Sequence, residues 1–240
     1  MADTLIVLPT YNEIDNLEII VGRIRQAVPQ ADILIVDDSS PDGTGELAKT
    51  LSLGDPGITV LHRLTKDGLG GAYRAGFALA SERGYSYVVE IDADGSHDPG
   101  SLPEMIALAK AGADLVIGSR WVPGGEVRNW PWLRQLISRS GNVYSRAVLG
   151  SKIRDLTSGF RVIRTSTLNS TRLASISSQG YCFQVELAWR LEQAGAIVAE
   201  HPIVFVERTL GRSKMHSGIV LEALWRVTLW GIAQKIPRRE

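Results

Sequence analysis

The stretch IDADGSHDP, Ile91 to Pro99, closes the apolar run YVVEI, Tyr87–Ile91. Two carboxylates, Asp92 and Asp94, stand there with only Ala93 between them. Like charges this close repel, and a fold accepts that where a cation lies between them or solvent screens them. Asp-x-Asp after a buried strand can present hard oxygen ligands to Mg²⁺ or Mn²⁺, with nucleotide phosphates completing the shell. The plain alternative is a solvated turn in which Asp98-Pro99 opens the next helix. Where the other strands end decides between the two readings.

Four further apolar runs read as strands: TLIVL (Thr4–Leu8), DILIV (Asp32–Val36), ITVL (Ile58–Leu61) and DLVIG (Asp114–Gly118). Helical patterns lie between them. The first, DNLEIIVGRIRQA, opens with Asp15 three residues before Glu18, the spacing of a capping box. This βαβα order predicts an α/β protein, a mostly parallel sheet with helices on both faces. The strands end in PTYNE, DDSSPDG, DADGSH and SRW. In an open parallel sheet those ends share one edge, and ligands bind there. Asp92 and Asp94 therefore sit where a site is expected.

The chain of 240 residues suits one domain of this class, and it has no internal repeat or low-complexity linker. Lys plus Arg and Asp plus Glu both number 26, so no charge excess points to nucleic acid. A single cysteine, Cys182, excludes an intramolecular disulfide and suits a reducing compartment. The opening MADTLIVLPTYNE lacks a basic n-region and reads as no signal peptide. No run reaches the roughly 18–20 apolar residues of a spanning helix.

LPTYNE, VDDSSPDGT, GLGGAYRAGF, DADGSH, GSRW, RDLTSGFRV, GYCFQVELAWR and ERTLGRSKM occur in this order, from Leu5 to about Met215. Together they resemble the family 2 glycosyltransferases, and within them the polyprenyl-phosphate (dolichyl-phosphate) mannose synthases. The resemblance implies a GT-A fold, a Rossmann-like nucleotide-diphospho-sugar transferase. It also implies a GDP-mannose donor, a polyprenyl phosphate acceptor and a divalent metal, Mg²⁺ or Mn²⁺.

Residue by residue, the resemblance places Pro9, Tyr11, Glu13, Val36 and Asp38 around the nucleotide, with Asp92 and Ala93 beside them. Tyr11 can pack on a base and Glu13 can accept from an amine or hydroxyl. Asp37 can instead cap the loop SSPDGT. Asp92 and Asp94 take the metal region, with Ser96 where some relatives carry glutamine. His97 has no companion histidine at metal-site spacing and is expected beside the ligands or exposed. Arg120 offers a planar fork that suits a diphosphate. The segment NWPWLRQLISRSGNVYSR starts a helix with Pro131 in its first turn. Arg134 and Ser138 share a face of it, which the resemblance assigns to the acceptor phosphate. Trp121, Trp130 and Trp132 crowd the preceding loop, to touch lipid or to close a core edge. Arg208, Ser213 and Lys214 match the family's basic loop near the phosphates, with Gly211 giving it freedom. Glu186 can orient substrate or pair with an arginine.

The expected chemistry is inverting transfer of mannose, with Asp92, Asp94, Arg120, Arg134, Ser138, Arg208 and Lys214 as the catalytic set. Residues 1–216 form the catalytic domain. Residues 217–240 add a C-terminal helix, apolar almost all round, with Glu222 and Arg226 as an i,i+4 pair and a basic KIPRRE end. That helix is expected to face a membrane, to dock on a separate membrane-anchor subunit, or to pack on the domain. The expected location is cytoplasmic and peripheral, on the cytoplasmic face of a membrane. Three rival readings stand beside this one. They are a polyprenyl-phosphate glucose or N-acetylglucosamine synthase using a UDP-sugar, a receiver-like domain built on ILIVDDSSPDG, and a non-catalytic nucleotide-binding or membrane subunit.

Overall fold

A computed structural model describes residues 2–64, 68–170, 176, 178, 181–207 and 217–235. Nine strands and eight α-helices are formed by these residues. In chain order they are β1 (Thr4–Thr10), α1 (Ile14–Ala27), β2 (Asp32–Asp37), α2 (Thr44–Gly54), β3 (Ile58–His62), α3 (Gly68–Glu82) and β4 (Tyr87–Glu90). Then come α4 (Leu102–Lys110), β5 (Leu115–Ser119), β6 (Glu126–Arg128), α5 (Trp132–Leu149), β7 (Arg161–Arg164) and α6 (Thr165–Ser170). The last are α7 (Tyr181–Gln193), β8 (Val198–Pro202), β9 (Val204–Val206) and α8 (Ser217–Lys235).

The main sheet has the order β3-β2-β1-β4-β7-β5-β8, and β6 pairs with β9 in a small second sheet. All neighbours in the main sheet are parallel except β7, which runs antiparallel to both β4 and β5. The mostly parallel sheet is as expected; β7 and β8 are additions to it. The apolar run PIVFV reads as one strand but breaks at Ile203, so Pro202 ends β8 in the main sheet and Val204 begins β9 in the other.

Side chains alternate between two cores along each strand. On β1, Ile6 and Leu8 face one core while Leu5 and Val7 face the other. On β2 the pairs are Ile33 with Ile35 and Leu34 with Val36. The first core is closed by Leu17, Ile20 and Ile24 of α1 and Met105 and Ile106 of α4. The second is closed by Tyr73 and Phe77 of α3 and by Phe183, Leu187 and Leu191 of α7. Burial on both faces explains why the strands read as unbroken apolar runs. Each such side chain contributes about 1.5–3 kcal/mol when fully removed from water.

Glycines in GLGGAYRAGF serve close packing. A Cβ on Gly76 would lie 2.6 Å from both γ-carbons of Val7, and one on Gly70 would lie 2.8 Å from the Phe183 ring. Two helix starts differ from expectation. Glu13, not Asp15, precedes α1: its carbonyl accepts from the N–H groups of Asn16 and Leu17, and its carboxylate accepts from the Asn16 side chain at 2.9 Å. The capping box is not formed, because Asp15 already lies inside the first turn. Pro131 stands at the N-cap of α5 rather than within its first turn.

Candidate active site

β1, β2, β4 and β5 end on one edge, as parallel strands must. The first two ends are stitched together by short polar side chains. Asp37 accepts from the Thr10 hydroxyl at 3.1 Å, the Ser40 hydroxyl at 2.5 Å and the Ser40 N–H at 3.2 Å. It therefore caps the SSPDGT loop. Asp42 accepts from the Thr44 hydroxyl at 2.6 Å and from the Ile14 N–H at 3.3 Å, and the Thr44 hydroxyl accepts from the Glu13 N–H at 3.0 Å. Asn12 and Ser39 take φ of +57° and +54° to make these turns. Pro9 lies opposite Val36 in the β1–β2 register. Asp38 pairs with Arg63 at 3.0 Å. Tyr11 is half-buried and Glu13 buried. The five expected nucleotide positions thus converge on one corner.

The cleft proper lies after β4. Its walls include Asp92, Asp94, Ser96, His97, Arg120, Trp130, Arg134, Thr157, Gly159, Gln184 and Glu207. Asp92 accepts from the Tyr73 hydroxyl at 3.4 Å, and Asp94 accepts from the Ser96 N–H at 3.0 Å across Gly95, whose φ is +73°. Both carboxylates are half-buried, so neither is merely a solvated turn residue. Two carboxylates with phosphate oxygens form a donor set that suits a hard divalent cation. Among the described residues no group of three His, Cys, Asp or Glu could hold a metal alone. The fit therefore depends on substrate oxygens. His97 is buried, not exposed, between Phe160 and Phe205 at ring distances of 5.2 and 5.1 Å. Burial pulls its imidazole down to about 4, which keeps it neutral.

Arg120 departs from expectation. Its fork is held by Asp155, with Nε at 2.8 Å and Nη2 at 2.7 Å, and Nη2 also donates to the Thr157 hydroxyl at 2.8 Å. Its backbone N–H donates to the same carboxylate at 2.9 Å. A fork spent on a buried carboxylate cannot also clamp a diphosphate, so Arg120 can offer a substrate Nη1 at most. Burial alone would raise the Asp155 carboxyl; Arg120 overrides it and holds it below the usual range.

Arg134 reaches the cleft, where it pairs with Glu207 and lies 4.2 Å over the Trp130 ring. Ser138, one turn on, is half-buried and is not among the cleft-lining residues; its carbonyl accepts from Asn142. Arg208, Gly211, Ser213 and Lys214 lie outside the described residues. Trp130 is buried against Phe205, whereas Trp132 is 74% exposed. Glu186 is fully buried and pairs with Arg190 at 2.7 Å, the structural alternative.

A buried charged layer, absent from the sequence expectations, lies next to the acidic pair. Glu90 and Arg161 are both fully buried, 3.8 Å apart across β4 and β7. Burial pushes the Glu90 carboxyl up to about 7, opposed by Arg161 and reinforced by Asp92. Asp155, Thr157 and Gly159 come from RDLTSGFRV, where alternate residues from Asp155 to Arg161 are polar or glycine. That alternation was the available signal of polar residues gathered on a site, although the chain turns at Leu156 and Thr157 and is a strand only from Arg161.

The profile of Glycosyl transferase family 2 matches residues 5–171. The chain is 52% identical over 236 residues to a polyprenol monophosphomannose synthase of Mycolicibacterium smegmatis, covering 98% of this chain and 89% of that one. It is 53% identical over 231 residues to an undecaprenyl-phosphate mannosyltransferase of Micrococcus luteus, covering 96% and 95%. Among solved structures it resembles a Pyrobaculum calidifontis mannosyltransferase in complex with GDP-Man and Mn²⁺, with TM-score 0.65, 15% identity and coverage of 98% and 65%. It also resembles a Mycobacterium tuberculosis glucosyl-3-phosphoglycerate synthase in complex with Mn²⁺, UDP and phosphoglyceric acid, with TM-score 0.67, 21% identity and coverage of 98% and 79%. Those two likenesses establish a GT-A fold. With a profile match over most of its length and relatives above 50% identity, this chain belongs to glycosyl transferase family 2.

Proposed function

We propose that the chain transfers mannose from GDP-mannose to the phosphate of a polyprenyl phosphate, with inversion at C1. The observation that carries this is the near full-length identity of 52–53% to two proteins named for a polyprenyl-phosphate mannose product or acceptor; the GDP donor and the inversion are this reading's own. The half-buried acidic pair at the end of β4 supports it.

The acceptor is a phosphate monoester, whose second pKa is about 6, so it is already anionic at neutral pH. No strong general base is needed. The acceptor oxygen attacks C1 as the bond from C1 to the donor diphosphate breaks, and GDP leaves with the electron pair. A divalent ion, Mg²⁺ or Mn²⁺, would be held by Asp92 and Asp94 with Ser96 beside them, and would neutralise the leaving diphosphate. Tyr73 orients Asp92, and the Gly95 turn orients Asp94. Pro9, Tyr11, Glu13, Val36, Asp38 and Ala93 shape the nucleotide corner. Arg134 receives the acceptor phosphate, turning from Glu207 to do so, and Ser138, one turn on along α5 and outside the cleft lining, borders its approach. Arg120 holds the cleft wall in place, and Arg208 and Lys214 supply further positive charge. Positioning and electrostatics then carry most of the rate.

The acceptor is a lipid, so the chain works at a membrane surface, on the cytoplasmic side where nucleotide sugars are expected. No described helix is long and apolar enough to cross a membrane. One face of α8 packs on the domain through Val227, the Trp189–Trp230 stack at 6.0 Å and the Tyr144–Thr228 hydroxyl pair at 2.6 Å. Its other face exposes Leu221, Trp225, Leu229 and Ile232, beside exposed Leu133, Leu136, Ile137 and Val143 of α5. These two apolar strips form the surface that meets lipid or a separate membrane subunit.

Incubation with radiolabelled GDP-mannose, a polyprenyl phosphate and Mg²⁺, followed by lipid extraction, tests the proposal. Lipid-linked mannose is expected, with GDP a much better competitor than UDP. Label transferred only from a UDP-sugar would move the assignment to a glucose or N-acetylglucosamine synthase.

A further inference from the structure

A second cleft, of about 470 Å³, opens beside α5 and shares only Arg120 with the cleft around the acidic pair. Its volume lies within the range of small-ligand sites. Three further arginines line it: Arg139 and Arg146, two turns apart on α5, and Arg154 from the following loop. Among the described residues none of these three forms an ion pair. Neighbouring carboxylates are spent elsewhere: Asp155 on Arg120, and Glu200 on the backbone N–H groups of Arg154 and Asp155 at 2.8 and 3.0 Å. Among the described residues Arg146 Nε is buried with no hydrogen-bond partner, so it is available to an acceptor in the cleft. Arg139 lies 4.8 Å over the Trp121 ring, which fixes its plane while its N–H edge stays available.

Guanidinium groups that no described carboxylate pairs directly, gathered around one cleft, suit an anion with several oxygens, a phosphate. The same wall contains Val143, 62% exposed and part of the apolar strip of α5. A ligand with a phosphate head and an apolar tail satisfies both features at once. We infer that this cleft binds the headgroup phosphate of an anionic phospholipid of the bilayer, so that α5 lies along the membrane and the acidic edge is held at a set height above it. The inference rests on the membrane-surface reading given above and names the lipid chemistry that this face recognises. It is separate from the acceptor site, which belongs to the cleft of Asp92 and Arg134.

Vesicle co-sedimentation of the full chain, without polyprenyl phosphate, tests it. Vesicles of phosphatidylcholine alone are compared with vesicles that also contain phosphatidylglycerol. Each basic group near an anionic surface is worth about fivefold in affinity, so Arg146→Gln/Arg154→Gln should weaken binding to the anionic vesicles by about 25-fold. Binding to neutral vesicles and the thermal midpoint should not change. A control that removes equal charge at exposed sites on elements that do not line the cleft, Lys49→Gln/Arg83→Gln, should stay within about twofold of wild type. An equal loss in the control would reduce the cleft to diffuse surface charge. Complete displacement by millimolar inorganic phosphate would make it a free-anion site. A raised acceptor KM in detergent, with vesicle binding intact, would assign it to the acceptor. Wild type that sediments with neither vesicle would overturn the membrane reading itself, whereas wild type and variant binding anionic vesicles equally would overturn this site alone.

Discussion

Replacing Asp155 with alanine strips the counter-charge from a guanidinium that the fold has taken out of water. Side-chain exposure is 8% for Arg120 and 0% for Asp155. Asp155 accepts three N–H groups of Arg120 at 2.7–2.9 Å and the Thr157 hydroxyl at 3.1 Å. Deleting one partner of such a pair costs about 3–5 kcal/mol, because the other charge is left buried. In a chain of this size each kcal/mol moves Tm by about 2–4 °C, so Asp155→Ala should lower it by about 6–20 °C. Calorimetry or circular dichroism reads this directly. The pH dependence follows from the depressed Asp155 carboxyl. Its contribution is present above the ordinary carboxylate pKa near 4 and is lost as pH falls through the lower folded value. The gap between wild type and variant should therefore narrow below about pH 4. The double change Arg120→Met/Asp155→Leu removes both charges and should recover most of the stability. If Arg120 shapes the cleft wall, that variant stays impaired in transfer. An Asp155→Ala protein melting within about 2 °C of wild type would refute the reasoning, since it would mean that water reaches the Arg120 guanidinium after all.

Asp94→Ala should lower kcat by at least about 100-fold and abolish metal-dependent nucleotide binding, with thermal unfolding little changed; near-normal turnover would contradict its role. Ser138→Glu places an anion on the face of α5 assigned to the acceptor phosphate, so the acceptor KM should rise about tenfold or more while the donor KM holds. Cys182 is buried and its thiol is pushed up to about 11 by that burial, so a thiol reagent at pH 8 should label it only in denaturant. Labelling of the native chain at the unfolded rate would show that α7 opens readily.

The edge that carries the chemistry was legible in sequence because a parallel sheet obeys a local rule. Each apolar run of four or five residues ends in polar residues, the inner ones are buried on both faces, and strands of one direction must end together. That places PTYNE, DDSSPDG, DADGSH and SRW side by side without knowledge of any contact. Asp37 capping its own loop was legible for the same reason, since its Ser40 partner is three residues away. What the tertiary structure decided were pairings between segments far apart in the chain. RDLTSGFRV leads into β7, the one strand of the main sheet that runs against its neighbours. An antiparallel strand begins at the edge where the parallel ones finish, so Thr157 and Gly159 arrive in the cleft with Asp92, Asp155 reaches Arg120, and Arg161 comes to lie opposite Glu90. Strand direction is set by how the whole sheet closes, not by the residues of the strand. For that reason sequence could present Arg120 as an open fork, while only the fold, by bringing a carboxylate from 35 positions away, determined that the fork is already closed.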